Sequence, residues 1–286
     1  MDKILIFGSA GQLGSDLVDV LQKSGSFDVI PLTHEMADCR DTDAVRRAVL
    51  QCRPQFVINS AAYVRVDDCE DHATDAFAVN AIGALNIARA GAEIDACCVY
   101  ISTDYVFDGE KKTPYVESDP TNPINVYGTS KLAGEHLVRQ AAQRWLIVRM
   151  ASLFGKTGAR GKGGNFIETI LAKARRGEAI KVVDDIRISP TYTRDAANVI
   201  VGLLESGQEG CVHVANSGNC TWYEFARQAL DSCRIVVPIC AVPSTRFPMR
   251  ARRPQNSSLV SETRSAAMIP WREALRDYLC EMGHLQ

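Results

Sequence analysis

The chain contains no apolar run near the roughly 20 residues that a helix needs to cross a bilayer, and it has no C-x-x-C pair. Neither sign of charge dominates. Its 32 Lys and Arg against 34 Asp and Glu leave a net charge of -2, which gives no overall pull toward nucleic acid or an anionic membrane. The N-terminus enters Ile4-Leu5-Ile6-Phe7 directly. It lacks the long apolar core and small-residue cleavage site of a secretory signal, so a cytoplasmic protein is expected. Internal repeats and low-complexity tails are missing as well. The ten cysteines scatter from Cys39 to Cys280, a spacing that suits reduced core and surface thiols better than a disulfide scaffold or a metal centre.

The 286 residues are 46% hydrophobic and 23% charged, enough to bury a sizeable core. In the first half, strand and helix patterns alternate. Apolar runs at 3–7, 28–32, 56–59, 97–102 and 145–149 read as strands, and 12–23, 42–52, 73–93 and 125–143 carry helical spacing. This alternation predicts right-handed βαβ crossovers and an α/β fold, a Rossmann-type doubly wound parallel sheet that binds ligands beyond the carboxyl ends of its strands. Residues 108–123 read as a loop. Later helices are expected at 165–176, 193–205, 221–232 and 271–282, with strands at 179–183 and 211–215. A dinucleotide-binding domain of residues 1–149, rejoined by about 186–217, is expected, with 150–185 and 218–286 forming a smaller C-terminal α/β substrate-binding lobe.

The first strand runs into Gly8-Ser9-Ala10-Gly11-Gln12-Leu13-Gly14. Glycines in G-x-x-G-x-x-G between a strand and a helix permit a tight turn and let backbone N–H groups approach a pyrophosphate at the helix N-terminus. The second strand ends in Leu32-Thr33-His34, where the acid that takes ribose hydroxyls usually stands, and Glu35 comes only later. This leaves room for a 2′-phosphate near His34, which reads equally as a solvated loop residue. In Asp38-Cys39-Arg40-Asp41, Asp38 could meet the adenine amino group, Arg40 a phosphate, and Asp41 the N-cap of the next helix.

The fourth strand ends in Ser102-Thr103-Asp104-Tyr105, and Tyr127 and Lys131 follow in Y-x-x-x-K spacing. Four residues apart, the two share one helical face. An ammonium beside a phenol would lower its pKa and fit it for acid–base work, with the Thr103 hydroxyl directed at the same carbonyl oxygen. Tyr and Lys at this spacing also occur on helices by chance, so the pair gains its meaning from the glycine loop and the strand-end Ser-Thr.

The chain resembles the extended short-chain dehydrogenase/reductases and, more narrowly, the dTDP-4-dehydrorhamnose reductase family, almost from end to end. The carrying segments are 8–14, Asn59-Ser60-Ala61-Ala62-Tyr63, Val79-Asn80-Ala81, the string Ser102-Thr103-Asp104-Tyr105-Val106-Phe107-Asp108-Gly109, 122–131, Gly164-Asn165-Phe166, Ser189-Pro190-Thr191-Tyr192, 221–225 and Arg253-Pro254-Gln255-Asn256-Ser257. The resemblance implies hydride transfer from NADPH or NADH to C4 of a 4-keto hexose on a dTDP carrier, most specifically dTDP-4-dehydro-L-rhamnose. It implies Tyr127 as proton donor, Lys131 as its partner and ribose ligand, and Thr103 as polariser of the ketone. Gly8, Gly11, Gln12, Leu13, Gly14, Asp38, Cys39, Ala61, Ala62, Tyr63, Asn80 and Ser102 are the further cofactor positions. Asp104, Tyr105, Ser152, Asn165 and Arg253 are the sugar positions, together with Thr103.

Two departures stand out. Ser152 occupies a place where the family often has tryptophan, which removes an aromatic wall. Some members dimerise through Mg2+ held by helix carboxylates. Asp16 matches one such position, but Arg194 stands near where another acid is expected, which speaks against a metal-bridged dimer. A monomer or homodimer is expected. Arg250, Arg252, Arg253 and Lys162 are candidate cations for the carrier's diphosphate, and Trp222 and Tyr223 read as packing residues. Asn80 reads equally as a buried amide linking backbone groups. The competing readings are an epimerase or dehydratase of the same superfamily, and a non-catalytic dinucleotide-binding subunit resembling the methionine adenosyltransferase beta subunit.

Overall fold

The computed structural model describes residues 1–158 and 164–285. β1 (Asp2–Phe7), α1 (Gln12–Ser24), β2 (Phe27–Leu32), α2 (Thr42–Cys52) and β3 (Phe56–Asn59) open the chain. Short helices α3 (Val66–Asp71) and α4 (Ala73–Phe77) lead through a π-helical turn at Ala78–Ile82 into α5 (Gly83–Ala92). β4 (Cys97–Thr103), α6 (Val126–Ala141) and β5 (Trp145–Met150) follow. One helix was expected over residues 73–93. The π turn divides it, and Asn80 lies in that turn.

Next come β6 (Leu153–Phe154), α7 (Phe166–Arg175), β7 (Ile180–Val183), β8 (Arg187–Ile188), β9 (Thr191–Tyr192), α8 (Thr193–Glu205) and β10 (Gly210–His213). β11 (Cys220–Thr221), α9 (Trp222–Ser232), β12 (Ile239–Val242) and α10 (Trp271–Glu281) complete the order. Several helices start one residue after a side chain that caps them. Asp41 accepts from Asp43 and Ala44, Asn125 from Gly128, Asn165 from Ile167, and Thr221 forms a capping box with Glu224. Strand β12 was not anticipated. It is half exposed and pairs parallel with β7, so its periodicity is weak.

The main sheet is parallel, in the order β10-β5-β4-β3-β1-β2. Alternating side chains feed two cores. Ile4 and Ile6 face Leu13, Leu17, Leu21 and Ile200 on one side. Leu5 and Phe7 face Val45, Val49, Ile87 and Val138 on the other. Strands β3 and β4 are buried throughout, as central parallel strands must be. Strand order reverses at β1, so β2 and β3 leave on opposite sides of it and a crevice opens at its carboxyl end. A separate core joins Phe154, Tyr192, Phe225, Trp271 and Tyr278 with Ile167, Leu171, Leu275 and Leu279. No described helix is long and apolar enough to cross a membrane.

Candidate active site

A cleft of about 680 Å³ runs from the β1 crevice to the second core. Gly8, Gly11, Gln12 and Leu13 line its middle, with Ala61, Ala62 and Tyr63 opposite. Gly8 has φ +75°, and a Cβ there would lie 2.6 Å from the Ala61 nitrogen. A Cβ on Gly14 would lie 2.2 Å from the Gly8 carbonyl oxygen. Gly14 is therefore not a lining residue; it lets α1 start directly beneath the loop. No side chain caps α1, and its first turn holds no acid. The uncapped start of α1 thus borders the cleft between Gly8, Ala10, Gly11, Ala61 and Ala62, and these residues fit a dinucleotide diphosphate.

At one end the cleft is lined by Thr33, His34, Asp38, Cys39 and Arg40. Arg40 grips Asp38 through two nitrogens, at 3.0 and 2.6 Å, which holds the Asp38 carboxyl below its usual range. Burial pushes the Cys39 thiol up to about 11, so it stays protonated.

At the other end the carboxyl terminus of β4 meets α6. Ser102, Thr103, Asp104, Tyr105, Tyr127 and Lys131 all line the cleft there. Thr103 donates to Asp104 Oδ1 at 2.9 Å and accepts from Tyr105 N at 3.2 Å. The rings of Tyr105 and Tyr127 meet edge to face, centroids 5.9 Å apart. Lys131 is 1% exposed; its Nζ donates to the Ile101 carbonyl at 2.5 Å and lies 4.1 Å from the Tyr100 ring centroid.

One expectation is corrected here. Lys131 was expected to lower the pKa of the phenol. Instead the phenol is pushed up, chiefly by desolvation, with the Asp104 charge adding to the rise and the Thr103 hydrogen bond opposing it. The Lys131 ammonium is directed at the Ile101 carbonyl, and burial pulls its own pKa down to about 7. The phenol thus keeps its proton at neutral pH and is ready to donate it.

The sugar-side positions divide. Ser152 and Asn165 line the cleft. Ser152 has φ +42°, a left-handed conformation that costs a non-glycine residue about 1–2 kcal/mol. Arg253 does not line the cleft; its guanidinium pairs with Asp67 at 3.0 Å. Arg250 is likewise engaged by Asp71. Lys162 lies outside the described residues. Asn80 also falls outside the cleft wall. It is fully buried, accepts from Tyr63 N at 2.8 Å, and donates to Tyr63 O at 3.2 Å and Ser130 Oγ at 2.9 Å. Asn80 therefore shapes the Tyr63 wall from behind, because its amide is fully spent on those groups.

Trp222 packs against the aromatic core, as expected, and also lines the cleft with Phe166, their ring centroids 4.7 Å apart. Its place at a helix start carries no local sign of this. The wall appears once α7 and α9 pack together, across from the small Ser152. Around Asp16 the groups do not fit a bound cation. Thr193 donates to the Asp16 carboxylate, and the Arg194 guanidinium sits on Glu281. No group of three potential metal ligands occurs among the described residues.

A parallel doubly wound sheet, a glycine loop at its reversal point and a Thr–Tyr–Lys group in the same cleft define an oxidoreductase of the short-chain dehydrogenase/reductase class. The sequence model described as "RmlD substrate binding domain" matches residues 1–283, and the chain belongs to that family. It is 39% identical over 284 residues to the spore coat polysaccharide biosynthesis protein SpsK of Bacillus subtilis, covering 98% of each chain. It is 35% identical to the dTDP-4-dehydrorhamnose reductase of Burkholderia thailandensis, covering 96% of each. The crystal structure of dTDP-4-dehydrorhamnose reductase from Bacillus anthracis in complex with NADP superposes with a TM-score of 0.93 at 35% identity, covering 98% of this chain and 99% of that one.

Proposed function

We propose that this protein uses NADPH or NADH to reduce the 4-keto group of dTDP-4-dehydro-L-rhamnose to dTDP-L-rhamnose. The observation that carries this reading is the convergence of Thr103, Tyr127 and Lys131 at one end of the cleft that also holds the glycine loop. Residues 1–149 with 186–217 would hold the cofactor, and 150–185 with 218–286 the sugar nucleotide. When bound, the reduced nicotinamide supplies the hydride. Gly8, Gly11, Gln12 and Leu13 would cradle the diphosphate, backed by Ala61, Ala62 and Tyr63. Asp38 and Cys39 would flank the adenosine. Lys131 would hold the nicotinamide ribose.

The Thr103 hydroxyl, turned from Asp104, would donate to the ketone oxygen and orient it. Tyr127, whose raised pKa keeps it protonated, would give its proton to that oxygen as the alcohol forms. Asp104, Tyr105, Ser152 and Asn165 would contact the sugar, with Trp222 and Phe166 as an aromatic wall. A cytoplasmic setting suits ten free cysteines. Mixing purified protein, NADPH and dTDP-4-dehydro-L-rhamnose tests the proposal through loss of the reduced nicotinamide's absorbance. Stoichiometric NADPH consumption is expected. Conversion without net consumption would point to an epimerase, and no conversion to a regulatory subunit.

A further inference from the structure

The π turn at Ala78–Ile82 meets α6 at two small residues one turn apart, Ser130 and Gly134. A Cβ on Gly134 would lie 2.4 Å from the Asn80 carbonyl oxygen, to which the Tyr100 hydroxyl donates at 2.7 Å. Ser130 is 0% exposed, and its hydroxyl is engaged in both directions. It accepts from Asn80 Nδ2 at 2.9 Å and donates to the Tyr127 carbonyl at 2.8 Å. Asn80 Oδ1 accepts from Tyr63 N, so the amide can stand only one way round, and the Ser130 proton is left for the Tyr127 carbonyl. A mid-helix serine commonly bonds back to the preceding turn and to nothing else. Here the hydroxyl also receives a side chain whose other bonds go to both backbone groups of Tyr63. Neighbouring side chains of α6 run to the sheet instead. Lys131 donates to Ile101 O, and Glu135 accepts from Ser102 Oγ while paired with Arg149 of β5. The Ser130 contact thus joins Tyr63 to Tyr127, and both of these line the cleft.

We infer that Ser130 is a positioning residue of the reduction: with Asn80 it forms a buried clamp that fixes the Tyr127 turn of α6 against the Tyr63 wall. Hydride and proton must reach the two ends of one C=O bond. The wall that backs the cofactor and the turn that carries the phenol must therefore hold their spacing to within about 0.5 Å. They belong to separate segments, and the π turn brings the Asn80 amide between them. Tyr100 extends the same clamp to Lys131, whose Nζ lies 4.1 Å from its ring centroid. The catalytic meaning of the clamp rests on the function proposed above.

Crystal structures and kinetics of wild type, Ser130→Ala and Ser130→Thr test this. Alanine removes one oxygen and is the better helix former, so α6 itself is not weakened, whereas threonine keeps the hydroxyl. In Ser130→Ala the Tyr127 hydroxyl should move by about 0.5–1 Å relative to Thr103 Oγ, and kcat should fall about 10- to 100-fold. The NADPH dissociation constant and the sugar KM should change less than about threefold, and Ser130→Thr should recover most of kcat. An unmoved Tyr127 hydroxyl in Ser130→Ala would overturn the inference. So would a loss shared equally by kcat, KM and NADPH affinity, which marks a merely structural role. Should Ser130→Ala fail to fold, Ser130→Cys decides, since a thiol is a weak donor and a weak acceptor. A displaced Tyr127 there supports the clamp, and an unmoved one overturns it. The displacement is read in the protein alone. Failure to reduce the sugar would therefore sink the functional reading without deciding this one.

Discussion

The six-stranded sheet and the lobe facing it across the cleft bury their apolar residues in different ways. Both faces of the sheet are covered by aliphatic cores drawn from alternate residues of each strand. The lobe has small two-stranded pieces and an aromatic core. Phe154 lies within 5.3 to 5.5 Å of Phe225, Tyr278 and Tyr192, centroid to centroid. Buried tyrosines need polar partners. Tyr278 donates to Glu168 at 2.6 Å and accepts from Asn165 at 3.0 Å, and Asn165 reaches the cleft. The sheet side of the cleft thus rests on aliphatic cores, whereas the other side is tied to a polar-anchored aromatic core, and under the proposed function these would serve the cofactor and the sugar.

Four changes test this division, taken from the largest effect down. Tyr127→Phe should lower kcat about 10²- to 10⁴-fold, the usual worth of a positioned acid. The NADPH dissociation constant, read by fluorescence, should stay at its wild-type value; equal turnover would remove Tyr127 from the chemistry. Phe225→Ala, in the lobe core, should cost about 3–5 kcal/mol in denaturant unfolding. It should raise the sugar KM well before NADPH binding weakens, and parallel loss of both would dissolve the division. Gly14→Ala inserts a methyl at 2.2 Å from the Gly8 carbonyl oxygen, and the strain should cost about 1–3 kcal/mol. Here the order reverses, with NADPH affinity lost first. Least in size is cofactor choice. With no acid at the end of β2, kcat/KM for NADPH should at least equal that for NADH, and a strong NADH preference in steady-state rates would contradict the reading of the Thr33–His34 end.

Much of the sheet side was legible beforehand. The helices at 42–52 and 193–205 and the strand at 56–59 match their observed bounds, because their apolar residues recur at a local period. The glycine loop was legible for the same reason. Of the two readings of Asn80, the structure shows the buried amide, held by Tyr63 and Ser130; which groups it would meet lay outside local sequence. The ion pair of Arg253 was not legible because its partner, Asp67, lies far away in sequence. The packing role of Trp222 was legible, but its share in the cleft wall was not, because that wall exists only between two packed helices.

Short-range pattern therefore settled the class of fold, the glycine turn after β1 and the placing of Tyr127 and Lys131 on one helical face, all of which depend on residues within one helix turn or one strand. The burial of that pair, the Glu135–Arg149 ion pair behind it and the Phe166–Trp222 wall of the cleft were decided in three dimensions. Each depends on desolvation and on partners from separate segments, and a linear order of residues records neither.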